Sequence, residues 1–185
     1  MKKSAIIAIA AAGVVAGAAT AGTVEPQIIE VDVSTLLSFD GLGAPGNDTL
    51  EVLLPAGMDT VIGIGWDVNL QTFGASWASE AAFSLGDLGA DPSLFLRPAA
   101  GVNEPLAEPT NFASPIINLV DLELDFSVAS GVLGLELFET FDDIEGEADA
   151  QWLENSVLLV QVIPGPGALA LLGAAGMVGS RRRRG

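Results

Sequence analysis

An all-β fold, an antiparallel β-sandwich of jelly-roll type, is expected from three observations. Apolar and polar residues alternate with a period of two through the middle of the chain. Clusters of Gly, Pro, Asn and Asp punctuate those runs. No convincing helical stripe and no fixed-period repeat occupies the same region, so bundles, solenoids and propellers drop out.

In chain order, Ile29, Val31 and Val33 oppose Glu30 and Asp32, and Leu50 to Leu54 forms a second apolar run. Ile62, Ile64, Trp66, Val68 and Leu70 then alternate with Gly63, Gly65, Asp67, Asn69 and Gln71, a long half-buried strand. Trp77, Ala81, Phe83 and Leu85 alternate with Ser76, Ala78, Glu80 and Ser84, which places Trp66 and Trp77 on core-facing phases. Leu122, Leu124 and Phe126 oppose Asp121, Glu123 and Asp125, and Val132 to Phe138 and Val157 to Ile163 complete the set. Asp40 to Thr49 reads as a loop. Gly86 to Pro115 reads as a long one carrying Pro92, Pro98, Pro105, Pro109 and Pro115, with Leu94 to Leu96 as a short edge strand inside it. Ile144, Ala148 and Trp152 recur at helical spacing and suggest a short helix between Asp142 and Asn155.

Two helices are expected to flank the sandwich. Met1-Lys2-Lys3, the apolar run from Ala5 to Ala18 and the small-x-small exit Ala19-Thr20-Ala21 read as a secretory signal over 1–21, cut by signal peptidase before Gly22. The domain then occupies 22–163, long enough to bury about two thirds of its unfolded surface. Residues 164–185 form a tail: a Pro-Gly break, an apolar helix from Ala168 to Val178, and Arg181, Arg182, Arg183 and Arg184. The apolar part is shorter than the roughly 20 residues of a comfortable span, and the arginines would stay on the cytoplasmic side.

Composition narrows the chemistry. The middle of the chain holds one cation, Arg97, against all 24 acids, which leaves it at −23. That field repels nucleic acid and anionic lipid and attracts divalent cations. Near-absence of lysine suits high ionic strength, and an apolar share of 50% argues against disorder. With no Cys there is no disulfide. With neither Cys nor His there is no Ser-His or Cys-His nucleophile pair and no ordinary zinc or copper site. Only carboxylate chemistry is left.

The tail resembles that of the PEP-CTERM proteins, substrates of exosortase-type sorting in Gram-negative bacteria. Pro164, Gly165 and Pro166 stand where that family has Pro-Glu-Pro, Gly167 to Gly173 (GALALLG) matches its helix start, and Arg181 to Arg184 match its basic end. Gly165 replaces the family's glutamate. The resemblance covers the tail alone. It implies transient anchoring in the inner membrane, processing near Pro164, and delivery to the cell surface or medium, where such proteins associate with extracellular polysaccharide.

Three acidic features are candidate sites. On a strand, Asp121, Glu123 and Asp125 share one face at about 7 Å spacing, too far apart to gather a cation unaided. The densest cluster runs from Glu139 to Asp149. It fails as an EF-hand, because Gly146 at the sixth position puts Phe141 first and Trp152 twelfth. Glu139, Asp142, Asp143, Glu145 and Asp149 remain candidates for a Ca²⁺ site of another kind, the one cofactor the sequence suggests. A pair of carboxylates could also hydrolyse a glycoside, but nothing singles out two of the 24, and aromatic sugar platforms are few. Arg97 is expected to bridge to a carboxylate and pin the long loop, and Asn47-Asp48-Thr49 fits a glycosylation sequon. The reading is an exported, non-enzymatic envelope or matrix protein. A carbohydrate- or Ca²⁺-binding lectin-like module is the alternative, and a carboxylate-based glycoside hydrolase the third.

Overall fold

The computed structural model describes residues 4–7, 25–143 and 146–165, and they form an all-β structure. The strands are β1 (Ser4–Ile7), β2 (Gln27–Asp32), β3 (Leu37–Ser38), β4 (Thr49–Leu53), β5 (Thr60–Thr72), β6 (Ala81–Asp87) and β7 (Leu94–Leu96). They continue with β8 (Thr110–Asn118), β9 (Phe126–Ser127), β10 (Val132–Glu139), β11 (Ala150–Trp152) and β12 (Val157–Ile163). One sheet has the order β1-β4-β10-β6-β7. In the other, β11 and β12 line one edge of β5, β3 and β2 lie outside them, and β8 and β9 line the opposite edge of β5. The β1–β4 pair is parallel, and all other pairs are antiparallel.

The chain passes repeatedly between the sheets, so each buries the other's apolar face. Val31, Ile64 and Leu158 of the second sheet join Val52, Leu85 and Leu135 of the first in one core. Phe83 of β6 stacks on Trp152 of β11 with ring centroids 4.6 Å apart, a direct contact across the sandwich.

Alternation is right for β5, with one phase change. Gln161 faces Gly63 but Val162 faces Val61, so Ile62 is an extra residue. A bulge of this kind turns the next side chain to the other face, and Val61 is accordingly buried while Ile62 is only partly so. On the other edge, β8 carries its own irregularity opposite Gly65. A Cβ on Gly65 would lie 3.0 Å from the Ile116 backbone nitrogen, which explains glycine there.

Four expectations are corrected. Residues 121–125 are not strand: Val120–Leu122 is a 3₁₀ turn, Glu123 follows at φ 57°, and Leu122 and Leu124 are exposed. Asn118 causes this locally, accepting from the Val120 amide at 3.0 Å and donating to Asp121 at 2.9 Å, side-chain bonds that compete with a ladder. Trp77 does not face the core. The segment before β6 is a turn, with the Glu80 carboxylate accepting from the Trp77 amide at 2.8 Å and the ring 43% exposed. No helix forms among the described residues of 142–155, and Trp152 lies in β11, fully buried. Finally, Gly86 to Pro115 is not one loop. It contains β7, as expected, and the start of β8, which runs through Pro115. An edge strand at a bulge tolerates proline because no ladder donor is missed there.

Of the segment expected to be a signal helix, Ser4–Ile7 is a strand beside β4. The remainder of 1–21, including Ala19 and Ala21, and all of 166–185, including Pro166 and Arg181 to Arg184, lie outside the described residues.

Candidate functional site

Register gives the sandwich two distinct ends. Gln27 pairs with Val162, so the domain's first strand and last strand begin and finish side by side. At the other end of the same sheet, Ala150 pairs with both Thr72 and Ser38. The 13 residues of β5 span the distance between these ends, about 40 Å at the usual rise. The buried acids gather at the far end, away from Gln27 and Ile163.

Glu139 closes β10. Leu133, Leu135 and Leu137 face the core, and a period of two carries Glu139 to the same face, where it is 1% exposed. The Ser38 hydroxyl at the end of β3 donates to its Oε1, while Oε2 has no partner. Asp149 precedes β11 and is fully buried. The Ser76 hydroxyl donates to its Oδ1 at 2.6 Å, and Oδ2 has no partner. Ser38 joins the two acids, because its carbonyl accepts from the Asp149 amide at 2.9 Å. Glu80 completes the group from the turn between β5 and β6: its carbonyl accepts from the Thr140 amide, and its carboxyl is in hydrogen-bonding contact with that of Asp143.

The electrostatics follow from this crowding. Burial pushes the Glu139 carboxyl up to about 8; the Ser38 hydroxyl draws it back, and Asp149, Glu80 and Asp143 raise it further. Burial also raises Asp149, against the Ser76 hydroxyl, with Asp142 and Asp143 adding to the rise. Glu80 is raised by burial, opposed by the Trp77 amide and reinforced by Asp143 and Asp149. Core replaces water around Glu139 and Asp149, Glu80 is half-buried and Asp143 exposed at the rim, and each carboxylate has others for neighbours.

Of the five acids expected to act together, Glu139, Asp143 and Asp149 are brought into one group. Asp142 is half-buried and acts electrostatically on Asp149, and Glu145 lies outside the described residues. Glu80, Ser38 and Ser76 were not anticipated. The inward phase of Glu139 after Leu133, Leu135 and Leu137 was readable in the sequence, but its partners come from distant parts of the chain. Asp121, Glu123 and Asp125 are all exposed and share no strand face.

The remaining candidates have structural work. Arg97 bridges no carboxylate among the described residues; its Nε donates to the Ser79 carbonyl at 2.7 Å and so ties the segment after β7 to the turn before β6. Asn47 is buried within its loop, accepting from the Phe39 and Asp40 amides and donating to Glu136 at 2.8 Å, so the sequon side chain is engaged internally. A groove on the outer face of the first sheet is lined by Leu42, Leu88, Pro92, Glu51 and Glu136. Glu136 is already held there by Asn47 and the Gly43 amide. Of the tail, Gly165 is buried against Asp59, and a Cβ would fall 2.0 Å from Asp59 Oδ1. A glutamate at this position would need Asp59 to move.

No family model matches the chain, and no curated protein matches its sequence. Solved structures similar to it include the VP2 subviral particle of infectious bursal disease virus, at 17% identity and a TM-score of 0.38 over 78% of this chain and 35% of that one. The structure of the Gx strain of the same virus is similar at 14% identity and a TM-score of 0.35, over 78% of this chain and 34% of that one. The chain therefore spans about a third of the length of these viral proteins.

Proposed function

We propose that the chain is an exported, non-enzymatic component of the cell envelope or extracellular matrix, a jelly-roll-type sandwich delivered by a sorting tail. Signal peptidase cuts after Ala21, the tail holds the protein at the inner membrane, and an exosortase-type enzyme processes it at Pro164-Gly165-Pro166. The strand order supports the jelly-roll reading: two antiparallel sheets share one core, and the chain crosses between them by turns. The pairing of Gln27 with Val162 is the observation that carries the delivery reading. It sets the first and last strands of the acidic domain side by side at one end of the sheet, the end from which a sorting tail would hold the domain at the membrane.

Expression of the full chain with a C-terminal epitope, in a Gram-negative host that carries an exosortase, tests this. The domain is expected at the cell surface or in the medium without the epitope. Replacing Arg181 to Arg184 by alanine should abolish retention at the inner membrane. Domain and epitope found together in the cytoplasm would sink the proposal.

A further inference from the structure

The group at the far end contains carboxylate oxygens that no described residue satisfies. Oε2 of Glu139 and Oδ2 of Asp149 are buried and unpartnered. An ionised oxygen in that position is costly unless a donor or a cation meets it. The Ser38 and Ser76 hydroxyls are each directed at the other oxygen of their acid, and the Asp143 backbone amide also donates to the Asp149 carboxyl. Glu80 and Asp143 lie in carboxyl–carboxyl contact beside them, a pairing that needs a proton or a positive ion between the two groups. The domain's one arginine turns to the Ser79 carbonyl instead.

We propose that Glu139 and Asp149, completed by Glu80 and Asp143, form a binding site for a hard divalent cation of the Ca²⁺ class. The donor set is oxygen only, which selects hard ions over zinc or copper. Ca²⁺ accepts six to eight oxygens at 2.3–2.6 Å in adaptable geometry, whereas Mg²⁺ demands a near-ideal octahedron at 2.0–2.1 Å. Among the described residues no three acidic side chains converge closely enough to grip an ion as they stand. Glu139 and Asp149 are thus the fixed half of the site, set by β10 and by the ladder amide of Asp149. Glu80 and Asp143, beside them, supply the remaining carboxyls.

The placement gives the ion a structural task. Glu139 ends a strand of the first sheet, Asp149 leads into a strand of the second, and Glu80 lies on the connection between β5 and β6. An ion there would link both sheets at the end opposite the tail, in a domain without cysteine. The site stands independently of the export reading, and its test does not depend on it.

The experiment uses the full chain in detergent, stripped with EDTA and melted against Ca²⁺ at matched ionic strength in NaCl. At about 100-fold excess over the dissociation constant, Tm is expected to rise by about 5–10 °C. Glu139→Gln and Asp149→Asn should each remove the rise, and the exposed control Glu30→Gln should keep it. Equilibrium dialysis should find one saturable Ca²⁺ per wild-type chain and none in either variant. A Tm that ignores Ca²⁺, or that rises equally in all four proteins, overturns the site in favour of diffuse screening. Should either variant fail to fold, dialysis of the wild type still decides, because weak binding without saturation overturns it too.

Discussion

Glu139 is the residue with the clearest consequence for pH. Its carboxyl faces Asp149 and Asp143 from the connection between β10 and β11, Glu80 from the turn before β6, and the Ser38 hydroxyl from β3. A carboxyl at about 8 in the folded chain and near its ordinary value when unfolded binds its proton more tightly when folded. The stability this brings is complete below about 4.5 and is lost as pH rises through about 8. In EDTA, urea melts between pH 5 and pH 8 should therefore show the wild type weakening. Glu139→Gln, which keeps the volume and has no proton to lose, should show a shallower slope. An identical slope in both proteins would place the titration elsewhere. Among the aromatic residues, Phe83 and Trp152 carry the contact between sheets while Trp77 lies on the surface. Phe83→Ala should cost about 3–5 kcal/mol by denaturant unfolding, the usual range for a core truncation of this kind. Trp77→Ala should stay within about 0.5 kcal/mol.

Strands and turns formed where local chemistry agreed with alternation and failed where it did not. β2, β4, β10 and β12 follow their patterns closely because each has one face on the core and lacks a competing side chain. The run from Asp121 to Asp125 has the same pattern, yet Asn118 bonds nearby backbone and side chain and folds it into a turn. β8 was hidden by Pro115, which is compatible with an edge strand but not with a central one. The irregular stretch of β8 opposite Gly65 leads to a prediction about this pair of strands. Gly65→Ala forces a methyl group against Pro115 and Ile116 backbone, which cannot swing aside as a side chain can. A loss of about 1–3 kcal/mol is expected, the cost of overpacking, read as a lower urea midpoint. Gly134→Ala is the control, since the nearest atom to its Cβ would be 3.5 Å away on a side chain.

Taken as a whole, the molecule is a strongly acidic two-sheet domain whose ends differ in character. Gln27 and Val162, in the first and last strands of the acidic domain, lie at one end, and buried carboxyls, with the turns that hold them, lie at the other. With one arginine against 24 acids in its middle, self-repulsion opposes the compact state and salt relieves it. The melting temperature should therefore climb steadily as NaCl rises from about 20 mM to 0.5 M, where the screening length falls from roughly 20 Å to below 5 Å. A Tm that is flat or falls over that range would mean the surface charges are too dispersed to matter.

Period-two alternation, turn residues and the absence of cysteine and histidine were enough for an all-β, disulfide-free domain with only carboxylates available for chemistry. These are local or compositional properties, and a strand's phase is written in the side chains of the strand itself. The tertiary structure alone decided which acids meet. Glu80 and Glu139 stand 59 residues apart in the chain, and they come together because β6 pairs with β10. Ser38 reaches Glu139 across a separation of 101 residues. No local pattern encodes such a meeting, because it depends on sheet order and register, and those follow from how two apolar faces close on each other.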